Sequence, residues 1–327
     1  MAQTQSYLNN TVGNVDASRQ QNEVKDVLRD FLNQVMVSSD GYRAAEAHPG
    51  GGKLYQEVSR KVADFIQAAG DDPKFIEKIT ISACDFAEII YGHTSLEHQR
   101  YIALYTACMF YSDDLGTRHL EAVGQFGRRF ATGKKQLNPA LDVFADVLKQ
   151  SYDLWPEVGA DAIISGTLEG VAAMHLEYTT DDMAVTPRAT WWPNYLRNRT
   201  SFCTPFAHFN FMKSWRPRPD TYIQLLPYFE FIVSGANDVL SFYKEDLAGE
   251  SKNYVHIRAN TDQTSATDTL RLLASEVLTC AQRARALIGG EDPELMTIWN
   301  SFEQGYVALH VKTPRYRLVD LAPAQDA

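Results

Sequence analysis

With 327 residues, 45% of them hydrophobic and 22% charged, the chain has enough apolar material for one large core or two ordinary ones, and its composition is that of a globular protein. The net charge of -10 argues against a nucleic-acid surface, which would show a basic stripe, and no apolar run approaches the length of a membrane span. Cys84, Cys108, Cys203 and Cys280 stand far apart without CxxC pairing, which excludes a zinc site or disulfide frame and predicts buried free thiols in a reducing compartment.

Residues 1–18 are polar and are expected to form a flexible N-terminal segment. They offer neither a basic n-region nor an apolar h-region, so no secretory signal and a cytoplasmic location are expected. From Gln20 to Val37 the apolar residues, Val24, Val27, Leu28 and Phe31 among them, follow the helical period. The HPGGGK run from His48 to Lys53 lacks the spacing of a phosphate-binding loop and the Ser or Thr after its lysine, and is read as a flexible turn. Helical patterns follow over 54–69, 73–91 and 96–114. In the last of these Ile102, Tyr105, Met109 and Asp113 share a face, which sets Asp113 at the end of an inward stripe. Asp113 and Asp114 together oppose the dipole of a helix C-terminus, which implies either a compensating cation or a solvated loop.

Further helical patterns cover 117–132, 138–154 and 159–178. Gly166 and Gly170 in the last carry a propensity cost that close packing against a neighbour would explain. In the aromatic segment 191–215, Arg197 and Arg199 each need a carboxylate or phosphate partner if buried, or a path for the side chain to reach solvent. A helix is expected over 219–247 with Pro227 as a kink or restart, then a loop over 249–263, a helix over 264–288, and a last helix ending near Val311. Arg315, Tyr316 and Arg317 come just before a tail at 319–327, as a surface patch or as a cap over a site. No strand alternation or internal repeat interrupts this series, so the expected fold is all-α, a single-domain helical bundle over 19–318.

Within that series GANDVLSFYKEDLAGE, residues 235–250, carries the most chemistry. Asn237, Ser241 and Glu245 recur every four residues and so share one helix face, continuing a stripe that upstream is apolar at Leu226, Phe229 and Val233. An amide, a hydroxyl and a carboxylate together are hard oxygen donors of the kind that suits Mg²⁺, an ion that keeps waters and shares positions with a substrate phosphate. Lys244 lies at the edge of the same face, where its ammonium meets such a phosphate as a point charge. A solvated helix surface is the plain alternative, but an N-D-x-x-S-x-x-x-E string arises by chance in only about one chain of this size in several hundred.

Asp113-Asp114, the string from Asn237 to Glu245, the Tyr195-Leu196-Arg197 triplet about forty residues before it and the terminal Arg315-Tyr316-Arg317-Leu318 together make the chain resemble the trichodiene synthase family of fungal class I sesquiterpene synthases. The resemblance spans most of the chain, with one departure: Thr117 stands where the family's aspartate-rich motif has its third acid. It implies a Mg²⁺-dependent cyclase that ionises farnesyl diphosphate, closes the carbocation into a cyclic sesquiterpene and releases diphosphate. On that implication Asp113, Asp114, Asn237, Ser241 and Glu245 are metal ligands, with Asp113 the principal one of its motif. Arg197, Lys244, Arg315 and Tyr316 are donors to the diphosphate, and Phe86, Tyr91, Tyr105 and Trp299 are candidates to line the cavity. A homodimer is suggested as well. A chain-elongating prenyltransferase would use the same helices but two aspartate-rich motifs, and a non-enzymatic helical scaffold would leave the co-occurring Arg197, Lys244 and Arg315 without a purpose.

Overall fold

The computed structural model describes residues 20–35, 52–69, 72–319 and 321, and every regular element among them is helical. In chain order these are α1 (20–35), α2 (Lys53–Ala69), α3 (Pro73–Ile90), α4 (Leu96–Arg118), α5 (Leu120–Ala131), α6 (Pro139–Lys149), α7 (Ser151–Leu154), α8 (Glu157–Thr179), α9 (Trp192–Thr200), α10 (Cys203–His208), α11 (Leu226–Phe231), α12 (Asn237–Ala248), α13 (Tyr254–Asp262), α14 (Ala266–Ile288) and α15 (Pro293–Lys312). The all-α expectation is met. Residues 1–18, the HPGGGK run as far as Gly51, and the tail apart from Val319 and Leu321 lie outside the described residues.

The helix starts follow from the local sequence. Asp72, Ser95, Asn138, Asn253, Ser265 and Asp292 each accept a hydrogen bond from a backbone N–H of the first turn. Pro73, Pro139 and Pro293 take first-turn positions, where the missing N–H has no partner to lose. The bundle is built around α4, which packs against α2, α3, α5, α6 and α8 and is buried on most sides from His98 to Gly116. An element buried on most sides shows no single apolar stripe, which is why α4 reads as less amphipathic than α2, α3, α5 and α6. α15 closes on α3 at Gly305, where a Cβ would run into the Ile89 carbonyl. Gly166 and Gly170 do the same for α8. A Cβ at Gly166 would stand 2.8 Å from Pro205 and one at Gly170 2.6 Å from the Phe202 ring, so the two glycines admit the sharp α9–α10 junction, where Phe202 has a φ of 51°.

The structure departs from the expected boundaries in four places. α4 runs to Arg118 because the Thr117 hydroxyl donates to the Asp114 carbonyl at 2.8 Å and Arg118 pairs with the Asp114 carboxylate at 2.5 Å, carrying the helix past the acid pair. The 138–154 pattern divides at Gln150 into α6 and α7. The expected 219–247 helix begins as two 3₁₀ turns, Pro219–Thr221 and Ile223–Leu225, since Pro227 has no N–H to offer the Ile223 carbonyl and an α-helix starts only there. The expected loop at 249–263 contains α13, fixed by contacts that periodicity does not register: Arg258 makes two 2.7 Å bonds to Glu276 of α14, and the Tyr254 hydroxyl donates to Asn194 at 2.6 Å.

Candidate active site

The inward faces of α3, α4, α8, α9, α12, α13 and α15 enclose a cavity of about 740 Å³, within the range of small-molecule sites. One part of its wall is apolar and aromatic, with Ile79, Phe86, Ile89, Phe202, Phe206 and Tyr306. Another is charged, with Asp113, Glu177, Arg197, Asp238, Glu245 and Arg315.

A π turn over Ile232–Ala236 ends directly at Asn237. Such a turn holds one residue more than an α turn, so it rotates the α12 side chains relative to those of α11. Asn237 and Asp238 thereby both reach the cavity wall, although they are adjacent in sequence. Arg197, in the last turn of α9, meets them both. Its Nε donates to Asp238 Oδ2 at 3.0 Å, and its Nη2 lies 2.7 Å from Asp238 Oδ1 and donates to Asn237 Oδ1 at 2.9 Å. Those contacts use Nε and Nη2 and leave the Nη1 donors without a bond among the described residues. Burial pushes the Asp238 carboxyl up to about 6 although the Arg197 guanidinium opposes it. Burial would lower Arg197 in turn, but the Asp238 charge outweighs it and the guanidinium stays protonated.

His310 stands on the other side of Asn237. Its Nδ1 lies 2.8 Å from the Tyr306 carbonyl and its Nε2 3.2 Å from Asn237 Nδ2. The ring is buried between those of Tyr306 and Tyr316, and burial pushes it down to about 4, so it is neutral at ordinary pH. Two turns along α12, the Lys244 ammonium donates to Glu245 at 2.9 Å and sits 5.9 Å above the Tyr316 ring, which Arg315 faces from 5.1 Å. Ser241 is buried on α12 between Asn237 and Glu245 and does not reach the cavity wall.

On α4, Asp113 faces the cavity and Asp114 is turned to Arg118. The Tyr178 hydroxyl of α8 donates to the Asp113 carbonyl at 2.8 Å and to its carboxylate at 3.2 Å. Gly116 makes room for that ring, since a Cβ there would run into it. Burial raises the Asp113 carboxyl above its ordinary value, with Asp114 adding to the rise and Tyr178 and Arg315 opposing it. Glu177 is raised too, first by burial, with Arg197 opposing and Asp113 adding.

The structure therefore brings Asp113, Arg197, Asn237, Glu245, Arg315 and Tyr316 to one cavity, with Lys244 bonded to Glu245 and not itself among the lining residues. Arg199 does not share the role of Arg197: it pairs with Glu169 at 3.0 Å and stacks on Tyr195 at 3.8 Å. Of the four aromatics singled out in sequence, Phe86 lines the cavity, while Tyr91, Tyr105 and Trp299 are fully buried core. Tyr91 donates to the Phe206 carbonyl, Tyr105 bonds the Thr167 hydroxyl, and Trp299 packs edge-on against Phe229. Sequence reading missed the lining residues Asp238, Glu177, His310 and Asp85, the last a carboxyl on the cavity face of α3, and Tyr178, which bonds Asp113. For Asp238 the signal was the string itself, and for His310 its place five residues before Arg315 in the terminal helix.

Three of the oxygen donors that line the cavity, the carboxylates of Asp113 and Glu245 and the amide of Asn237, are hard. Among the described residues no three His, Cys, Asp or Glu side chains are gathered tightly enough to hold an ion alone. Donors spread in this way fit Mg²⁺, which is typically held by one or two carboxylates and completed by water and substrate phosphate oxygens. No described helix is long and apolar enough to cross a membrane.

The family description "Trichodiene synthase (TRI5)" matches residues 23–326. Monoterpene synthase 25 of Postia placenta is 29% identical over 91% of this chain and 86% of its own. Alpha-cuprenene synthase COP6 of Coprinopsis cinerea is 31% identical over 71% of this chain and 70% of its own. The solved linalool/nerolidol synthase of Streptomyces clavuligerus, in complex with 2-fluorogeranyl diphosphate, superposes with a TM-score of 0.59 at 15% identity, covering 83% of this chain and 99% of that one, a likeness of fold.

Proposed function

The chain belongs to the trichodiene synthase family and is a terpene synthase; from that premise we propose that it is a Mg²⁺-dependent sesquiterpene cyclase, ionising farnesyl diphosphate and releasing diphosphate. The observation that carries the reading is the one cavity that Asp113, Asn237 and Glu245 line together with Arg197, Arg315 and Tyr316 and with several aromatic rings. Asp113, Asn237 and Glu245 would hold the metal; Ser241 and Asp114 complete the proposed set only by changing rotamer, since one lies behind the wall and the other is paired with Arg118. Bound Mg²⁺ supplies Lewis-acid stabilisation of the leaving diphosphate. Arg197, through Nη1, together with Arg315 and Tyr316, and with Lys244 once it is released from Glu245, donates hydrogen bonds to the diphosphate oxygens, where negative charge grows as the allylic C–O bond breaks.

Phe86, Phe206 and Tyr306 line the same cavity, where aromatic side chains would shield an allylic cation from water and offer it cation–π stabilisation. No general base is needed for ionisation. The similarity to a monoterpene synthase favours a second reading in which a ten-carbon diphosphate is the substrate. A homodimer is part of the proposal, on the family resemblance.

Incubation of the purified protein with Mg²⁺ and separately with geranyl, farnesyl and geranylgeranyl diphosphate, followed by gas chromatography and mass spectrometry of the extract, tests the proposal. A cyclic C15 product from farnesyl diphosphate is expected. Cyclic C10 products alone would replace it with the second reading. Longer linear prenyl diphosphates formed with an added C5 donor would make the protein a chain-elongating transferase.

A further inference from the structure

We propose that His310 is a positioning residue for Asn237, fixing which end of its amide is presented to the cavity. The inference rests on the reading of Asn237 as a metal ligand. A carbonyl only accepts hydrogen bonds, so the 2.8 Å contact between His310 Nδ1 and the Tyr306 carbonyl places the ring hydrogen on Nδ1 and leaves Nε2 as an acceptor. An acceptor 3.2 Å from the Asn237 side chain takes its NH₂ end. The oxygen end is then directed to Arg197, whose Nη2 donates to it at 2.9 Å. Both neighbours demand the same orientation. The reversed amide would set oxygen against the Nε2 lone pair and NH₂ against a guanidinium, losing both bonds at once.

The imidazole has little freedom to turn. It is 2% exposed, with its centroid 4.9 Å from that of Tyr306 and 4.5 Å from that of Tyr316. Tyr316 adjoins Arg315, so one ring ties the orientation of the α12 amide to the C-terminal turn that carries two of the proposed diphosphate donors. A metal needs the amide oxygen and is repelled by the NH₂, so a lock on the flip acts directly on metal affinity.

The test uses the full-length protein, Mg²⁺ and inorganic diphosphate, and reads the Mg²⁺ concentration giving the half-maximal rise in melting temperature. His310→Phe keeps the ring and its packing but removes the acceptor. It is expected to raise the half-maximal Mg²⁺ concentration by about 10- to 100-fold, the usual loss when a ligand's supporting partner is removed. His310→Gln places its Oε1 near the position of Nε2 and is expected to restore the value to within about threefold of wild type. A purely packing role would lower the melting temperature without metal in both variants and leave the Mg²⁺ midpoint unmoved, and that result overturns the proposal. If His310→Phe lacks wild-type helical content, His310→Gln decides: a folded Gln protein that needs tenfold more Mg²⁺ overturns it, and one near wild type supports it. A wild-type protein that gains no stability from Mg²⁺ and diphosphate overturns the functional reading itself, and the positioning role with it.

Discussion

Replacing Arg197 by Met removes the cation from a buried pair and leaves Asp238, 8% exposed, with no opposite charge in contact. Breaking such a pair from one side costs about 3–5 kcal/mol. The structure adds a pH signature. Asp238 ionises at about 6 with the guanidinium beside it, already above the ordinary carboxylate value because of burial. A carboxyl whose folded pKa is raised contributes stability that is full below its unfolded value and is lost as pH rises through the folded one. Without Arg197 the folded pKa moves higher still. Above pH 6 the variant then keeps a proton that the wild type has released, and it loses about 1.4 kcal/mol relative to wild type per pH unit until its own pKa is passed. Urea unfolding without metal at pH 6, 7 and 8 measures this. The difference between wild type and Arg197→Met is expected to widen with pH, and Arg197→Met/Asp238→Leu, which buries no charge, to recover most of the stability. A cost below about 1 kcal/mol that stays flat from pH 6 to 8 would refute the buried pair, and with it the account of how Arg197 is held.

Asn237→Ala and Glu245→Ala are expected to abolish turnover while leaving the circular-dichroism spectrum unchanged; a fully active Asn237→Ala protein would remove Asn237 from the proposed metal set. Gly170→Ala drives a methyl to 2.6 Å from the buried Phe202 ring and should cost about 1–3 kcal/mol, whereas Gly127→Ala, with nothing within 4 Å of the new methyl, should gain up to about 1 kcal/mol; thermal melts of both, equal in sign, would contradict the packing described. Burial holds His208 down to about 4, so its unfolded form binds the extra proton between pH 6.5 and 4. Its contribution is full above 6.5 and lost on acidification, by about 3 kcal/mol at pH 4, and His208→Gln should flatten that part of the stability–pH curve.

The fold was legible because each helix carries its own period, and a one-dimensional pattern needs no knowledge of its neighbours. Legibility failed where side-chain contacts and not the period fix an element: α13 is held by Glu276 and Asn194, and the extension of α4 by side chains of its own last turn. The site divides along the same line. Asn237 and Glu245 were found by spacing along one helix, whereas Asp238 was passed over because its neighbour's face was taken for the whole site, and an i, i+1 pair lies about 100° apart on a regular helix. Only the preceding π turn and an arginine arriving from α9 make that pair one unit. The aromatics show the deeper limit. Phe86, Tyr91, Tyr105 and Trp299 all point inward, and inwardness is what a periodic pattern encodes, yet only Phe86 meets open space. Whether an inward ring fills a core or lines a cavity is decided by how far apart the opposing helices are held. Here glycines set close approaches, among them Gly305 where α15 reaches α3 and Gly166 and Gly170 where α8 meets the α9–α10 junction. The cavity is what these pinned contacts leave between them, a property of several helices at once, and so it has no signature along any one of them.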